Sequence, residues 1–226
     1  MSPFPAEADP TPSVRRPALV MTRTDHDLGD IDALAVPVAA GAEAPAELGA
    51  DTAALARCGF AGRLGQTLAV PRTSGPELVA VGVGAPGDVG VTALRDLAAE
   101  FARAVPQHTR LAVRLPGPAV IEAAAAAQAI VEGVLLSRWA FSLKRDHTTS
   151  TLESLVLLVP ENERDAAEQG ARRGQVVAAA ASLGRDLASC PGGILTAARM
   201  ADVAVETADV QALTACIDWI VARIGR

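Results

Sequence analysis

Three glycines with the spacing of a phosphate-binding turn are the first candidates for chemistry. Gly82, Gly84 and Gly87 match the pattern Gly-x-Gly-x-x-Gly, follow a predicted strand and precede a predicted helix. In a dinucleotide site, such glycines let backbone amides approach a pyrophosphate. Two features favour an ordinary strand-to-helix turn instead. Pro86 has no amide hydrogen, and the strand predicted at 110–115 ends without an acid for a ribose hydroxyl.

Histidines, serines and cysteines show no recognisable catalytic pattern. The three histidines lie apart in predicted loops, which favours solvated side chains over a metal site or a triad: His26, His108 and His147. The candidate serines lack the Gly-x-Ser-x-Gly context of a nucleophile: Ser137, Ser142 and Ser189. Cys190 lies at the predicted C-terminus of a helix, where the helix dipole raises the pKa of a thiol.

Four aspartates resemble a cation-binding loop at first sight. Asp25, Asp27, Asp30 and Asp32 follow each other at short intervals. Their spacing differs from that of an EF-hand, and no glutamate closes the loop at the required position. We therefore interpret this segment as a solvated acidic loop.

Apolar runs and helical periodicities alternate along the chain. Strands are predicted at 17–23, 33–40, 67–72, 78–83, 110–115 and 154–159, and helices at 47–57, 92–105, 119–141, 161–189, 196–205 and 210–224. Pro37 moves the second strand towards an edge or a strand end. The run 154–159 is apolar on both faces and is predicted to be central. Turn residues at 73–76 join two strands as a hairpin. The pattern predicts an α/β fold, with a mixed, mostly parallel sheet flanked by helices.

The composition indicates one domain of ordinary size and excludes several functions. Half of the 226 residues are hydrophobic but only 3% are aromatic, which predicts a core packed through small side chains and close helix contacts. The net charge of −6 argues against a nucleic-acid partner, and no apolar run is long enough for a membrane helix. The three cysteines are widely spaced and predict reduced thiols in a cytoplasmic protein: Cys58, Cys190 and Cys216.

Two segments resemble signatures of the leucyl aminopeptidase (M17) family. Residues 129–144 (Ala-Ile-Val-Glu-Gly-Val-Leu-Leu-Ser-Arg-Trp-Ala-Phe-Ser-Leu-Lys) resemble its EGxxLxxYxFxxYK signature, which in that family lies on a helix of the N-terminal domain. Residues 184–196 (Gly-Arg-Asp-Leu-Ala-Ser-Cys-Pro-Gly-Gly-Ile-Leu-Thr) resemble its ARDLVNTPPNxLTP stretch, at the passage towards the catalytic domain. Trp139 and Leu143 stand where that family usually has tyrosines.

The resemblance, which covers residues 17–200, implies a macro-domain-like N-terminal domain without a catalytic centre. In that family the chemistry lies further along, in a domain where a lysine, several aspartates and a glutamate bind two divalent metals. Its runs Gly-Lys-Gly-Ile-Thr-Phe-Asp and Asn-Thr-Asp-Ala-Glu-Gly-Arg do not occur here. After Thr196 the chain has no lysine, and its acids are Asp202, Glu206, Asp209 and Asp218. The resemblance therefore implies no catalytic, cofactor-binding or metal-ligating residue and no cofactor.

Three functional hypotheses follow from these expectations. The first is a non-catalytic, truncated or stand-alone N-terminal domain of aminopeptidase type, in a homo-oligomer or with an aminopeptidase-type partner chain. The second is a macro-type module that binds ADP-ribose or a nucleotide at 82–90. The third is an interaction module that docks through the apolar helix predicted at 210–224. The expected organisation is a flexible, proline-rich leader over 1–16, the macro-like domain over 17–190, and a linker with a short helical tail over 191–226.

Overall fold

A six-stranded, mostly parallel sheet forms the centre of the molecule. The computed structural model describes residues 9–13, 17–24, 28–85, 87, 89–116, 121–143 and 151–207. From one edge to the other, the strands are β1 (Leu19–Thr24), β6 (Ser154–Val159), β5 (Arg110–Arg114), β2 (Ala33–Val38), β4 (Glu77–Gly82) and β3 (Thr67–Val70). Only the β3–β4 hairpin is antiparallel. The predicted α/β fold is therefore confirmed.

The four interior strands are apolar on both faces because helices or turns cover both sides of the sheet. Alternate side chains point to opposite faces, so each interior strand contributes to two cores. In β6, for example, Leu155 and Leu157 belong to one core, and Val156 and Leu158 belong to the other. All four are buried. This arrangement explains why the parallel strands read as continuous apolar runs rather than as alternating ones.

Three long helices cover one face of the sheet, and short elements cover the other. The helices are α1 (Thr52–Arg57), α2 (Val91–Ala104), α3 (Ala123–Ser137), α4 (Arg164–Ser189) and α5 (Ala197–Thr207). Helices α2, α3 and α4 share their core with one face. On the opposite face, α1, the 3-10 turn at Ala46–Leu48 and Phe60 form the second core.

Glycines allow the three long helices to pack closely, as expected for a core with few aromatic side chains. A Cβ at Gly133 of α3 would collide with the carbonyl oxygen of Arg95 in α2. A Cβ at Gly170 of α4 would collide with the carbonyl oxygen of Ala124 in α3. The backbones of α2, α3 and α4 therefore approach one another directly, which fixes the position of α3 between its neighbours.

Several sequence expectations need correction. Of the two alternatives predicted from Pro37, the edge is wrong and the strand end is confirmed: β2 is an interior strand, and Pro37 is its second-last residue, beyond the last β2 residue that pairs with β5, where a missing amide is tolerated. Strand β6 is interior but second from an edge. Residues 9–13, expected in a flexible leader, pack against the domain, with Pro10 and Thr11 buried. The helix predicted at 210–224 lies outside the described residues.

Candidate functional site

The carboxyl ends of β2 and β4 are the first place to look for a ligand, because open parallel sheets bind ligands at that edge. The predicted glycine turn follows β4 at this edge. Its first three amides are already engaged within the chain. Gly82 donates to the carbonyl of Gln66 at 2.8 Å, Val83 to that of Val38 at 3.0 Å, and Gly84 to that of Gly62 at 3.0 Å.

The loop 60–66 occupies the space in front of these glycines. A Cβ at Gly82 would collide with the carbonyl oxygen of Arg63, and a Cβ at Gly62 would lie 2.8 Å from that of Ala39. Gly82 therefore serves the close approach of this loop. We call this backbone packing of 60–66 on the ends of β2 and β4 the loop closure. It gives no support to a phosphate site at Gly82–Gly84.

The other glycines of the pattern, and Gly90 that follows it, have conformational and capping roles. Gly84 and Gly87 have φ angles of +78° and +100°, which favour glycine over other residues. Gly90 is the N-cap of α2, and its extended backbone leads into the helix. These observations support the strand-to-helix turn over the nucleotide interpretation.

The opposite end of the same strands carries an ionic network. Asp32 accepts from the backbone amides of Thr109 and Arg110, at 3.1 and 2.8 Å, and from the guanidinium of Arg110 at 2.6 Å. Burial opposes the ionised form of Asp32, but the hydrogen bonds from Arg110 and Thr109 dominate and lower its pKa to about 2. Asp30 also pairs with Arg110. The solvated-loop interpretation is therefore wrong for Asp32, which joins the starts of β2 and β5; Asp25 and Asp27 lie outside the described residues.

The candidate nucleophiles and histidines make structural contacts in the described ranges. His108 contacts Glu77 through Nε2, which links the segment before β5 to the start of β4, whereas His26 and His147 lie outside the described residues. Ser137 Oγ donates to the carbonyl of Val134, and Ser189 is exposed. Ser142 also has an interaction partner. Within the described ranges, no group of three or more His, Cys, Asp or Glu side chains is placed to hold a metal ion.

Cys190 is a buried residue rather than an activated thiol. It is the C-cap of α4, and its amide donates to the carbonyl of Asp186. Burial is the main cause that raises the pKa of this thiol, and the carboxylates of Asp186 and Asp9 raise it further. The expected direction is thus correct, but desolvation is its principal cause. Cys58 is exposed, and Cys216 lies outside the described residues.

The two signature segments meet at the end of α4. Asp186 has no exposed surface, and its two carboxylate oxygens receive hydrogen bonds from different parts of the chain. Trp139 Nε1 donates to Oδ1 at 2.8 Å. The backbone amide and the hydroxyl of Ser13 donate to Oδ2, at 2.9 and 2.7 Å. We call this cluster of Ser13, Trp139, Arg185 and Asp186 the α3–α4 joint.

Arg185 completes the joint from the other side of Trp139. Its guanidinium carbon lies 5.6 Å from the indole centroid, within cation–π range. Its NH1 also donates to the carbonyl of Leu136 at 2.9 Å. Arg185 and Asp186 point to different sides of α4, and Trp139 contacts both. Tryptophan at a position where the family usually has tyrosine thus keeps a hydrogen-bond donor.

Two further residues of the first signature hold α3 to α2. Glu132, which is buried, accepts from Arg95 Nε at 2.7 Å and from Gln128 Nε2 at 2.8 Å. Arg138 donates to the carbonyls of Ala102, Val105 and His108, which satisfies groups at the C-terminus of α2.

Sequence reasoning did not identify the partners of these residues. Ser13 lies 173 positions from Asp186, and Arg110 lies 78 positions from Asp32. Neither pair has a local periodicity that would reveal it. The signature resemblance marked Trp139 and Asp186, but nothing in the sequence pointed to Ser13.

Comparison with known proteins identifies the domain. Residues 36–147 match the family described as "Cytosol aminopeptidase family, N-terminal domain". The chain contains the N-terminal domain of this family. Probable cytosol aminopeptidases of Microcystis aeruginosa and Roseiflexus castenholzii are 29% and 32% identical to it, each over 66% of this chain.

Solved structures agree with this assignment. The bottromycin maturation enzyme BotP in complex with Mn is 30% identical, with a TM-score of 0.63 over 77% of this chain and 35% of that one. A mutant of tomato leucine aminopeptidase is 25% identical, with a TM-score of 0.67 over 84% of this chain and 42% of that one.

The chain spans about a third of the length of the curated relatives it matches, 31% and 32%. The match is therefore to the N-terminal domain and not to the whole of an aminopeptidase. In the described ranges, no helix is both long enough and apolar enough to cross a lipid bilayer.

Proposed function

We propose that this chain acts as a non-catalytic structural and interaction domain of an aminopeptidase-type protein. The contact between Trp139 and Asp186 carries the proposal. Both residues belong to segments that resemble family signatures, and their polar atoms bind each other at 2.8 Å instead of facing an open cleft. The signatures here serve to join helices and to define where the chain leaves α4.

The partners of three acids, Asp32, Glu132 and Asp186, support the same function. Asp32 and Glu132 bind arginines, and Asp186 binds Trp139 and Ser13. Two-metal peptide hydrolysis requires carboxylates gathered around a bridging water. In the described part of the chain, these carboxylates are dispersed between one end of the sheet, at Asp32, and the helix layer, at Glu132 and Asp186, and each takes part in contacts that join elements of the fold.

The partner we propose is a second copy of this chain or an aminopeptidase-type chain in the cytoplasm. Helix α4 exposes apolar side chains on its outer side, with Val176 and Val177 at 69% and 43% exposure. The segment 174–184 that contains them has no charged residue. Such a surface suits another protein better than a nucleic acid, which the net charge of −6 also disfavours.

Hydrolysis of a leucine anilide tests the proposal directly. The purified chain would be assayed with added Mn²⁺ or Zn²⁺, each with and without a chelator. We expect no metal-dependent turnover. Turnover that the chelator abolishes would show that the chain assembles a catalytic metal site, and it would overturn the proposal. Light scattering over a concentration series, alone and with an aminopeptidase-type chain, then tests the partner: a monomer in every mixture would contradict the interaction role.

A further inference from the structure

Residues 9–13 form a short segment that docks far from its neighbours in sequence. Its sequence is Asp-Pro-Thr-Pro-Ser, and it reaches the end of α4 through Ser13. The amide and the hydroxyl of Ser13 both bind Oδ2 of Asp186. Pro10 and Thr11 are buried, so the segment contributes packing as well as hydrogen bonds. We call residues 9–13 the strap.

The strap is built to dock at a low entropic cost. Asp9 Oδ1 accepts from the amide of Thr11 at 2.9 Å and from its hydroxyl at 3.2 Å, which forms a local turn. Pro10 and Pro12 each fix one backbone torsion angle. A segment with fewer conformations in the free state loses less entropy when it is bound.

The strap docks at the end of α4, beside the point where the chain leaves the domain: Ser13 binds the carboxylate of Asp186, and the backbone carbonyl of Asp186 accepts the amide of Cys190. The carboxylate of Asp9 acts electrostatically on two groups beyond α4, the Cys190 thiol and the Arg199 guanidinium of α5. Helix α5 itself is weakly held, because Val203 is the one residue of its span that is buried. The direction of α5 therefore depends largely on the end of α4, to which Ser13 of the strap binds through Asp186.

We propose that the strap is a releasable clasp that closes on Asp186, covers Cys190 and fixes the direction in which the chain leaves α4. When it is closed, Ser13 occupies one carboxylate oxygen of Asp186, and Trp139 occupies the other. When the strap is released, Oδ2 becomes available to solvent, Cys190 is uncovered and α5 loses a contact. The clasp therefore couples the N-terminal segment to the orientation of α5.

The clasp differs from an ordinary packed terminus in how it is held. Both hydrogen bonds from Ser13 converge on the single oxygen Oδ2, so the one substitution Ser13→Pro removes both donors. Trp139 donates to the other oxygen, Oδ1, so its hydrogen bond does not use the site that Ser13 occupies. We therefore expect the domain core to stay folded when the strap is released, which is the condition for a conformational device rather than for local damage.

Alkylation of Cys190 measures the state of the clasp. In a Cys58→Ser, Cys216→Ser background, Cys190 is the remaining thiol of the three. Deletion of residues 1–13 is compared with deletion of residues 1–8, which leaves the strap intact. We expect the longer deletion to raise the iodoacetamide reaction rate by roughly tenfold or more, since each hydrogen bond to a charged group corresponds to about that factor. Hydrogen exchange of the α5 amides should accelerate in the same variant.

Substitutions at Ser13 keep the test decisive if the longer deletion fails to fold. Ser13→Pro removes both donors, whereas Ser13→Ala removes the hydroxyl and keeps the amide. We expect the Cys190 reaction rate to rise in the order wild type, Ser13→Ala, Ser13→Pro, with unchanged far-ultraviolet circular dichroism. Equal rates for the two deletions, or for Ser13→Pro and wild type, with unchanged α5 exchange, would overturn the proposal.

Discussion

The loop closure and the α3–α4 joint are the two regions that the sequence motifs single out, and the chain forms its contacts differently in each. At the loop closure, backbone meets backbone: three amides after β4 donate to carbonyls, and glycines make room for the approach. At the joint, side chains meet: Asp186 collects donors from Ser13 and Trp139. At the first region the sequence matches a ligand-binding glycine motif, and at the second it shows only a resemblance to family signatures.

The difference teaches which signals carry specific information. A glycine pattern states that a backbone approaches closely, but it does not say what approaches. Here the approaching group is the chain itself, through Arg63 and Gly62. The signature positions, in contrast, specify side chains whose partners are distant in sequence. In this chain, the side chains that the resemblance marks thus meet at a helix junction rather than at a binding loop.

The largest loss of stability should come from a substitution that forces α3 and α4 apart where they build the joint. Gly170→Val places a side chain against the carbonyl of Ala124, so α3 and α4 must separate. Overpacking against backbone exceeds the usual 1–3 kcal/mol, and we expect a loss of about 4 kcal/mol or failure to fold. Gly184→Ala in the same helix is the matched control, because nothing lies within 4 Å of its added Cβ. Urea unfolding should show the control as neutral or slightly stabilised; equal stability of the two variants would contradict the close approach.

Removing the carboxylate at the centre of the joint should have the next largest effect. Asp186→Ala leaves the buried donors of Trp139 and Ser13 without an acceptor. We expect the free energy of unfolding to fall by about 3 kcal/mol. Trp139→Phe and the Asp186→Ala, Trp139→Phe double variant complete a thermodynamic cycle. Additive losses in that cycle would mean that the contact contributes little, whereas a coupling energy of about 1 kcal/mol or more supports the joint.

Sequence reasoning reached the fold but not these contacts, for a physical reason. The continuous apolar runs of β6 and the helical periodicity of α2 report burial directly, so strands and helices were predicted close to their observed bounds. Pro37 predicted an edge or a strand end, and the sequence did not decide between them, because the tolerance of proline depends on where pairing with β5 stops, which is a property of the sheet. Asp32 was misjudged because Arg110, its partner, is distant in the chain. Contacts of this kind depend on topology rather than on local pattern.

A substitution at the loop closure tests whether Gly82 serves the chain or a ligand. Gly82→Ala sets a methyl group against the Arg63 carbonyl, and we expect it to destabilise the protein by about 2 kcal/mol. Gly184→Ala is again the control, since no atom lies within 4 Å of its added Cβ and the position lies inside a helix. Calorimetric titration of wild type with ADP-ribose completes the comparison. Measurable binding that Gly82→Ala abolishes without a loss of stability would restore the nucleotide interpretation.

The smallest expected effect is a pH dependence of stability. It distinguishes the ionic network of Asp32 at one end of β2 from the backbone contacts of the loop closure at the other end. The pKa of Asp32 is lowered from 3.8 to about 2 in the folded protein, so its contribution is complete above pH 3.8 and is lost as the pH falls through about 2. We expect Asp32→Asn to cost about 1.5 kcal/mol at pH 7, because the amide cannot replace the charged bonds to Arg110. The difference from wild type should remain constant down to about pH 4 and shrink below it.

The loss caused by Gly82→Ala should not change over the same pH range, because its contacts involve no titratable group. Denaturant unfolding of wild type and both variants is measured at several pH values, from pH 7 down to the lowest pH at which the proteins are folded. It gives the difference in unfolding free energy between each variant and wild type as a function of pH. A difference for Asp32→Asn that stays constant to the lowest pH would show that the ionic network adds no stability. The two ends of β2 would then be held alike, by backbone contacts, and the contrast between side-chain and backbone closure would be confined to the joint.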